Sequence, residues 1–236
     1  MKLIILMLCL ILPIVSQAET FKLKVGETCQ YKVSMMGMNA GTIETKIEKE
    51  DKLDGKPVLV FREEIKTSGL AEKFYKLIQI TSSYWSIEKQ SSLKQEFDIT
   101  ENSRHKSGVE TIDYEKKNYH YDKKDAEKTD IAIASDDNIQ DFSSIAFYVR
   151  TIDWAGSDMV KKIKITDMGG INTIELRKVS EEKVNGKDSY KIAIKYESKK
   201  EDFFWLEKDG NRQLVRMKLK LNAGSLESNV QECKYN

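Results

Sequence analysis

Short alternations of apolar and polar residues, cut at intervals by Asp-Gly and Asn-Gly pairs, constrain this 236-residue chain more than any other feature. Tyr31, Val33 and Met35, then Ile43, Thr45 and Ile47, then Leu59, Phe61 and Glu63 against Val58, Val60 and Arg62, recur with period two. That period places alternate side chains on opposite faces of a strand. Ile163 with Ile165, and Val215, Met217 and Leu219 against Leu214, Arg216 and Lys218, continue the pattern. Asp54-Gly55, Asn185-Gly186 and Asp209-Gly210 suit the positive φ angles of tight hairpin turns, and Gly169-Gly170 and Ala223-Gly224 mark further reversals. Sequence neighbours are therefore expected to pair antiparallel.

One stretch has helical spacing instead. From Asp136 to about Thr151, Ile139, Phe142, Ile145 or Ala146, and Val149 recur as on one helix face, with Asp136 and Asp137 placed to cap its start. The segments on either side of this helix resemble each other. A shift of 131 residues lays residues 42–61 over residues 173–192 without a gap, and seven of 20 positions are identical. The expected fold is mainly β: a large curved antiparallel sheet or half-open barrel, built from two similar meanders, about 21–130 and 156–236, around one central helix at about 136–151. Each half is too thin to cover both its faces alone, and no Ser/Gly/Pro-rich linker interrupts the chain, so residues 19–236 are read as a single domain.

The N-terminus reads as a processing signal. Lys2 precedes an apolar run from Leu3 to Val15, and Ser16-Gln17-Ala18 puts small residues where a signal peptidase reads, so residues 1–18 are expected to be removed. The run rises only about 20 Å as a helix, short of the roughly 30 Å hydrocarbon core, and no later segment offers a transmembrane helix. Export permits a disulfide, and Cys29 and Cys233, both in strand-like contexts near the two ends of the mature chain, are the expected pair. Without Lys2 the 39 basic residues become 38 and match the 38 acidic ones. A neutral exported chain is a poor nucleic-acid binder.

Catalytic signatures are missing from the sequence. It contains no GxSxG elbow, no phosphate-binding glycine loop, no HExxH and no CxxC, and no cofactor is implied. Its two histidines, His105 and His120, lie in a polar stretch where a surface position is expected, and a metal site of His105, His120 and Asp122 has no diagnostic spacing. Asp136, Asp137 and Asp141 offer carboxylates for a cation, but the helix start accounts for the first two. On this reading His120→Ala and Asp141→Ala are expected to leave the fold intact.

Aromatic and methionine clusters are the stronger clue. Met35, Met36 and Met38 surround Gly37; Phe74 adjoins Tyr75, Tyr84 adjoins Trp85, and Phe203 and Phe204 adjoin Trp205. Neighbours on a strand point to opposite faces, so one member of each doublet must pack away from the main core. Met35, Met36, Met38, Phe74, Tyr75, Tyr84, Trp85, Phe204 and Trp205 are the candidate ligand-binding residues, because Met and aromatic surfaces adapt to acyl chains and amphipathic segments.

The runs VGETCQYKVSMMGMNAG, TSGLAEKFYKLIQITSSYWS, QDFSSIAFYVR and FFWLEKDGNRQLVRMKL, in this order, resemble the exported bacterial family catalogued as domain of unknown function 3108. The resemblance implies an envelope protein, periplasmic or outer-membrane-associated, of antiparallel β architecture and supplies no catalytic residue; with the signal segment, the expected location is periplasmic or secreted. The expected function is noncatalytic binding of a lipid, acyl chain or envelope precursor within the curved sheet. The alternatives are an assembly factor that meets an envelope protein through exposed strand edges, and an enzyme using carboxylates or His120.

Overall fold

The computed structural model describes residues 21–124, 128–156, 159–197, 201–221 and 224–235. The expected signal segment lies outside them. In chain order the first half contains β1 (Glu27–Met35), β2 (Met38–Leu53), β3 (Lys56–Thr67), α1 (Leu70–Phe74), β4 (Leu77–Ser86), β5 (Ser91–Glu101), β6 (Arg104–Asp113), β7 (Asn118–Lys123) and β8 (Thr129–Ala132). Then come β9 (Ile139–Gln140), α2 (Ile145–Thr151), β10 (Val160–Thr166), β11 (Ile171–Val184), β12 (Lys187–Tyr196), β13 (Glu201–Glu207), β14 (Leu214–Leu221) and β15 (Gly224–Tyr235).

All fifteen strands join one sheet, in the order β8-β7-β6-β5-β4-β3-β2-β1-β15-β14-β13-β12-β11-β10-β9. Every pairing is antiparallel except β9 with β10. The seam between the halves is β1 against β15, where Cys29 directly opposes Cys233 and the two are disulfide-bonded. The sheet curls until its far ends approach: Thr166 on β10 donates to Glu110 on β6 at 2.7 Å, and the Gly169 N–H donates to the Tyr119 hydroxyl on β7 at 3.0 Å. Side chains, not a backbone ladder, bridge that gap, so the sheet is curved but not closed.

Local geometry repeats at the offset found in the sequence. Asp54 and Gly55 have φ of 50° and 80°, and Asn185 and Gly186 have 51° and 81°, the paired positive values of a type I′ turn. The register slips between Ile47 and Lys49 in β2 and between Lys178 and Ser180 in β11, also 131 residues apart. Val60 pairs with Tyr84 and its counterpart Lys191 with Trp205; a second slip follows each aromatic residue, before Trp85 and before Leu206.

The helix differs from the expected one. Ile139 and Gln140 form a short strand parallel to β10, the chain turns at Asp141, and the helix spans only Ile145–Thr151. Asp136 and Asp137 cap nothing there. The periodicity misled because the helix lies inside the curl and is apolar nearly all round: Ile145, Phe147, Tyr148 and Val149 are all buried, whereas Phe142 is 49% exposed. Phe147 stacks on Phe61 of β3 at 4.1 Å, and the cluster extends through Ile47, Trp85, Ile163, Leu176, Ile192 and Phe204. Arg150 ends the helix in a buried bidentate pair with Glu27 at 2.6 and 2.8 Å, and also donates to the Asn211 carbonyl at 2.9 Å. Truncating either partner would leave a buried charge unpaired.

The disulfide closes a loop between residues 204 apart in sequence. In the loop-entropy account a bridge of that span stabilises by about 5 kcal/mol. A Cys29→Ala/Cys233→Ala double variant is expected to unfold at a lower urea midpoint, with the loss approaching that value. A midpoint equal to that of the oxidised protein would show that the bridge leaves stability unchanged.

Candidate functional site

The nine candidate ligand-binding residues separate into three places. Trp85 and Phe204 point inward and are consumed in the core against α2; the Trp85 indole N–H donates to Gln140 Oε1 at 3.1 Å. Tyr84 and Trp205 take the outer face. The Tyr84 ring lies under the Lys94 ammonium, and Trp205 packs with Val184 and Val215 between Lys191 and Arg216 while its indole donates to Glu182. Met35, Met36, Met38, Phe74 and Tyr75 come together at one rim of the curl.

That rim is built by turns at one end of the antiparallel strands. The β1–β2 turn carries Met36, 75% exposed, and leads into Met38, 60% exposed. α1 lies against the start of β2, tied there by the Asn39–Ser68 side-chain hydrogen bond of 3.3 Å, and holds up Leu70 and Phe74, the latter 81% exposed. On the other flank a Cβ added at Gly224 would lie 3.7 Å from the Met36 side chain, and exposed Leu221 pairs with Gly224 across the β14–β15 ladder. Leu221, Met36, Met38, Leu70, Phe74 and Tyr75 thus form one arc. Leu70 and Leu221 were not among the sequence candidates, since a single Leu in a turn carries no pattern.

A second cluster is polar and buried. One cross-strand row on the inner face runs Ile47, Phe61, Ser83, Gln95, Glu110, Tyr121 from β2 to β7, and the next includes Thr45, Glu63, Thr81, Phe97 and Gly108. Gly108 is required beside Phe97, because a Cβ there would lie 2.6 Å from the ring. Into the polar centre of these rows comes Asp141. Its Oδ1 accepts the backbone N–H groups of Ser143 at 2.9 Å and Ser144 at 2.7 Å, and the Gln95 amide at 3.1 Å. Its Oδ2 accepts the hydroxyls of Ser83 and of Ser92, the latter at 2.5 Å. Asp141 is therefore the cap of the turn that starts α2, docked on the sheet through three side chains.

Two further carboxylates flank it. Glu63 Oε1 accepts the Ser143 hydroxyl at 3.1 Å, and Glu110 accepts the hydroxyls of Tyr119 at 2.8 Å and Thr166 at 2.7 Å. Burial pushes all three acids upward, opposed by the hydroxyl and amide donors; Glu63, with one such donor and the Asp141 charge facing it, is pushed up to about 7. Asp141 and Glu110 have donors on both carboxylate oxygens, and Glu63 has the Ser143 hydroxyl on one. Asp141, expected to be replaceable without loss of the fold, is 1% exposed and central. The inner-face pattern hid the cluster, since Ser, Gln and Glu at alternate positions of β4 to β6 read as the solvent side of a strand. The QDFSS run was its only sequence signal.

The histidines join neither the buried carboxylates nor the apolar arc. His105 Nε2 pairs with Asp98 at 3.0 Å and His120 Nδ1 with Asp130 at 2.9 Å. No group of three or more His, Cys, Asp or Glu residues positioned to hold a metal ion occurs among the described residues.

Two measurements probe the polar cluster. Asp141→Ala removes the acceptor for five donors and is expected to cost about 3 kcal/mol or more, seen as a lowered urea midpoint; an unchanged midpoint would contradict the docking role. Glu63 gives a pH test, with Asp141 from the β9–α2 connector and Tyr31 from β1 facing it. Because it ionises less readily folded than unfolded, its contribution to stability is complete below about pH 4.5 and is lost as pH rises through about 7. Glu63→Gln is expected to gain stability over the parent as pH rises through that window, reaching about 3 kcal/mol above it. A pH-independent difference would refute the assignment.

Comparison with known proteins gives family and fold. A family model described as "Protein of unknown function (DUF3108)" matches residues 30–231. A β-barrel-like protein of the domain of unknown function DUF1849 from Brucella abortus is similar over 90% of this chain and 98% of its own, with a TM-score of 0.63 at 9% identity, a likeness of fold. A candidate lipoprotein from Parabacteroides distasonis covers 91% of this chain and 98% of its own at 10% identity with a TM-score of 0.32. A candidate exported protein with a YmcC-like fold from Bacteroides fragilis covers the same shares at 6% identity with a TM-score of 0.27. No curated protein matches.

Proposed function

The chain belongs to the family of unknown function DUF3108, and on that premise we propose that it is a noncatalytic cell-envelope protein that binds an apolar or amphipathic ligand at its rim. The single observation that carries the reading is the arc of six large apolar side chains held in solvent by the turns at one end of the sheet. Scattered exposed apolar residues need no explanation, but a contiguous set marks an interaction surface. The interior, where the sequence places the ligand, is occupied beside β3, β10 and β12 by α2, which Asp141 and Arg150 hold at its two ends.

An envelope location is supported by the apolar run and small residues at the N-terminus and by the Cys29–Cys233 bridge, which requires an oxidising compartment. Among the described residues no helix is long and apolar enough to cross a membrane. The noncatalytic reading rests on the buried acids, whose oxygens are engaged by protein hydroxyls and amides. Assembly through strand edges has less to build on, because the outermost strands β8 and β9 are four and two residues long. The matched turns and register slips support reading the two meanders as copies of one unit, which makes the sheet a scaffold carrying the rim.

Native mass spectrometry of the protein released gently from its own envelope tests the reading. The parent is expected to carry a lipid-like adduct that a Met36→Ser/Phe74→Ser variant loses while keeping its far-ultraviolet circular dichroism. An adduct retained equally by the variant would place the ligand elsewhere.

A further inference from the structure

We infer that the rim docks on an anionic lipid surface, a deepening that rests on the rim being the binding surface. Two observations point to it beyond apolar exposure. The first is charge. Lys73 and Lys76 flank Phe74 and Tyr75, Arg104 follows the β5–β6 turn beside them, and Lys220 adjoins Leu221; all four are exposed. Lys73, Lys76 and Lys220 have no ion-pair partner among the described residues, and Arg104 stands opposite Glu101, which Lys106 already holds at 2.8 Å; Lys218 is spent on Glu227 at 2.7 Å and Lys66 on Glu64. Glu72 is the one unpaired acid in these turns. Exposed cations without an ion pair among the described residues stand on other elements too, Lys117, Lys161, Lys162 and Lys195 among them, but at the rim they stand beside exposed apolar side chains. A groove of about 440 Å³ opens beside Leu221, next to Phe203. Of its charges, Glu201 faces Arg177 at 3.5 Å and Lys218 is paired, which leaves the Lys220 ammonium as its free charge.

The second observation is backbone cost. Met36 has φ of 51° and Gly37 of 80°, the same turn type that carries Asp54 and Asn185 in the two long hairpins. Asn, Asp or Gly suits that first position, and Met does not. A flexible apolar side chain is thus held in water on a backbone that disfavours it. Apolar side chains interleaved with Lys and Arg are the composition that enters the headgroup region of an acidic leaflet, the apolar residues burying and the cations meeting phosphates.

The test is co-sedimentation of the full chain with vesicles of phosphatidylcholine alone and of phosphatidylcholine mixed with phosphatidylglycerol, at low and raised salt. Binding is expected to the mixed vesicles and to fall with salt. Removing the cations by Lys73→Ser, Lys76→Ser, Arg104→Ser and Lys220→Ser is expected to weaken it by about fivefold per residue. Met36→Asn separates function from fold: it suits the turn, so the urea midpoint should hold or rise while vesicle binding falls. Equal, salt-insensitive binding to both vesicle types would overturn the anionic preference and leave the apolar rim standing. Absence of vesicle binding, with an adduct still lost from the Met36→Ser/Phe74→Ser variant, would likewise leave a rim that takes another ligand. A stoichiometric protein lost from that variant in place of lipid would make the occupant a protein and overturn the inference. Mixed-vesicle binding unaffected by Met36→Ser/Phe74→Ser would overturn both readings.

Discussion

The Asp141 carboxylate is the point at which helix, sheet and sequence pattern meet. A sheet of this many strands curls around more space than its own inward side chains fill. Here α2 enters that space, and a helix brings unpaired N–H groups at its start that water would normally serve. Asp141 accepts the N–H groups of Ser143 and Ser144 in the turn that leads into the helix, and turns its remaining capacity to Ser83, Ser92 and Gln95. Three strand positions that would otherwise be apolar are thereby required to be polar, and once they are, Glu63 and Glu110 share a region already furnished with hydroxyls. The acidic interior follows from burying the start of a helix inside a sheet.

The other end of α2 meets the same difficulty with opposite sign. Arg150 brings a buried positive charge to the C-terminal turn, where it also suits the helix dipole, and Glu27 on β1 neutralises it through two hydrogen bonds. Glu27 lies two residues from Cys29, so the ion pair and the disulfide brace the same strand, one toward the helix and one across the seam to β15. The insertion is fixed at both ends by polar bonds, while apolar packing such as Phe61 on Phe147 fills the middle.

Strand periodicity was legible because the outer face is charged and most of the inner face is apolar, and hairpin turns were legible because Asp-Gly and Asn-Gly have few other uses. The Cys29–Cys233 pairing also followed from strand context. The helix was misjudged in extent, since Ile139 and Val149 are buried in different elements and spacing cannot distinguish one long amphipathic helix from a strand followed by an enclosed one. Asp141 was misjudged because a buried acid and a surface acid are the same letter; only the register that brings β4 and β5 against the β9–α2 connector separates them. The aromatic doublets behaved as alternation requires, one member inward and one outward, so Trp85 and Phe204 could not share a surface with Tyr84 and Trp205.

The two clusters divide the molecule. Where the chain crosses its interior, Glu27, Glu63, Glu110 and Asp141 all accept from protein donors, at the cost of placing polar residues on inner strand positions. At the rim the opposite holds: Met36 sits on a turn that Asp or Asn would occupy with less strain, Phe74 stands in solvent on a helix of five residues, and Lys73, Lys76 and Lys220 have no ion pair among the described residues. Stability alone favours neither arrangement, since a Met36→Asn turn and a polar residue at Phe74 would suit an isolated fold better. The chain that gives its buried carboxylates protein donors leaves these apolar side chains and cations exposed together, in one arc, which is the pattern expected of a surface completed by something outside the chain.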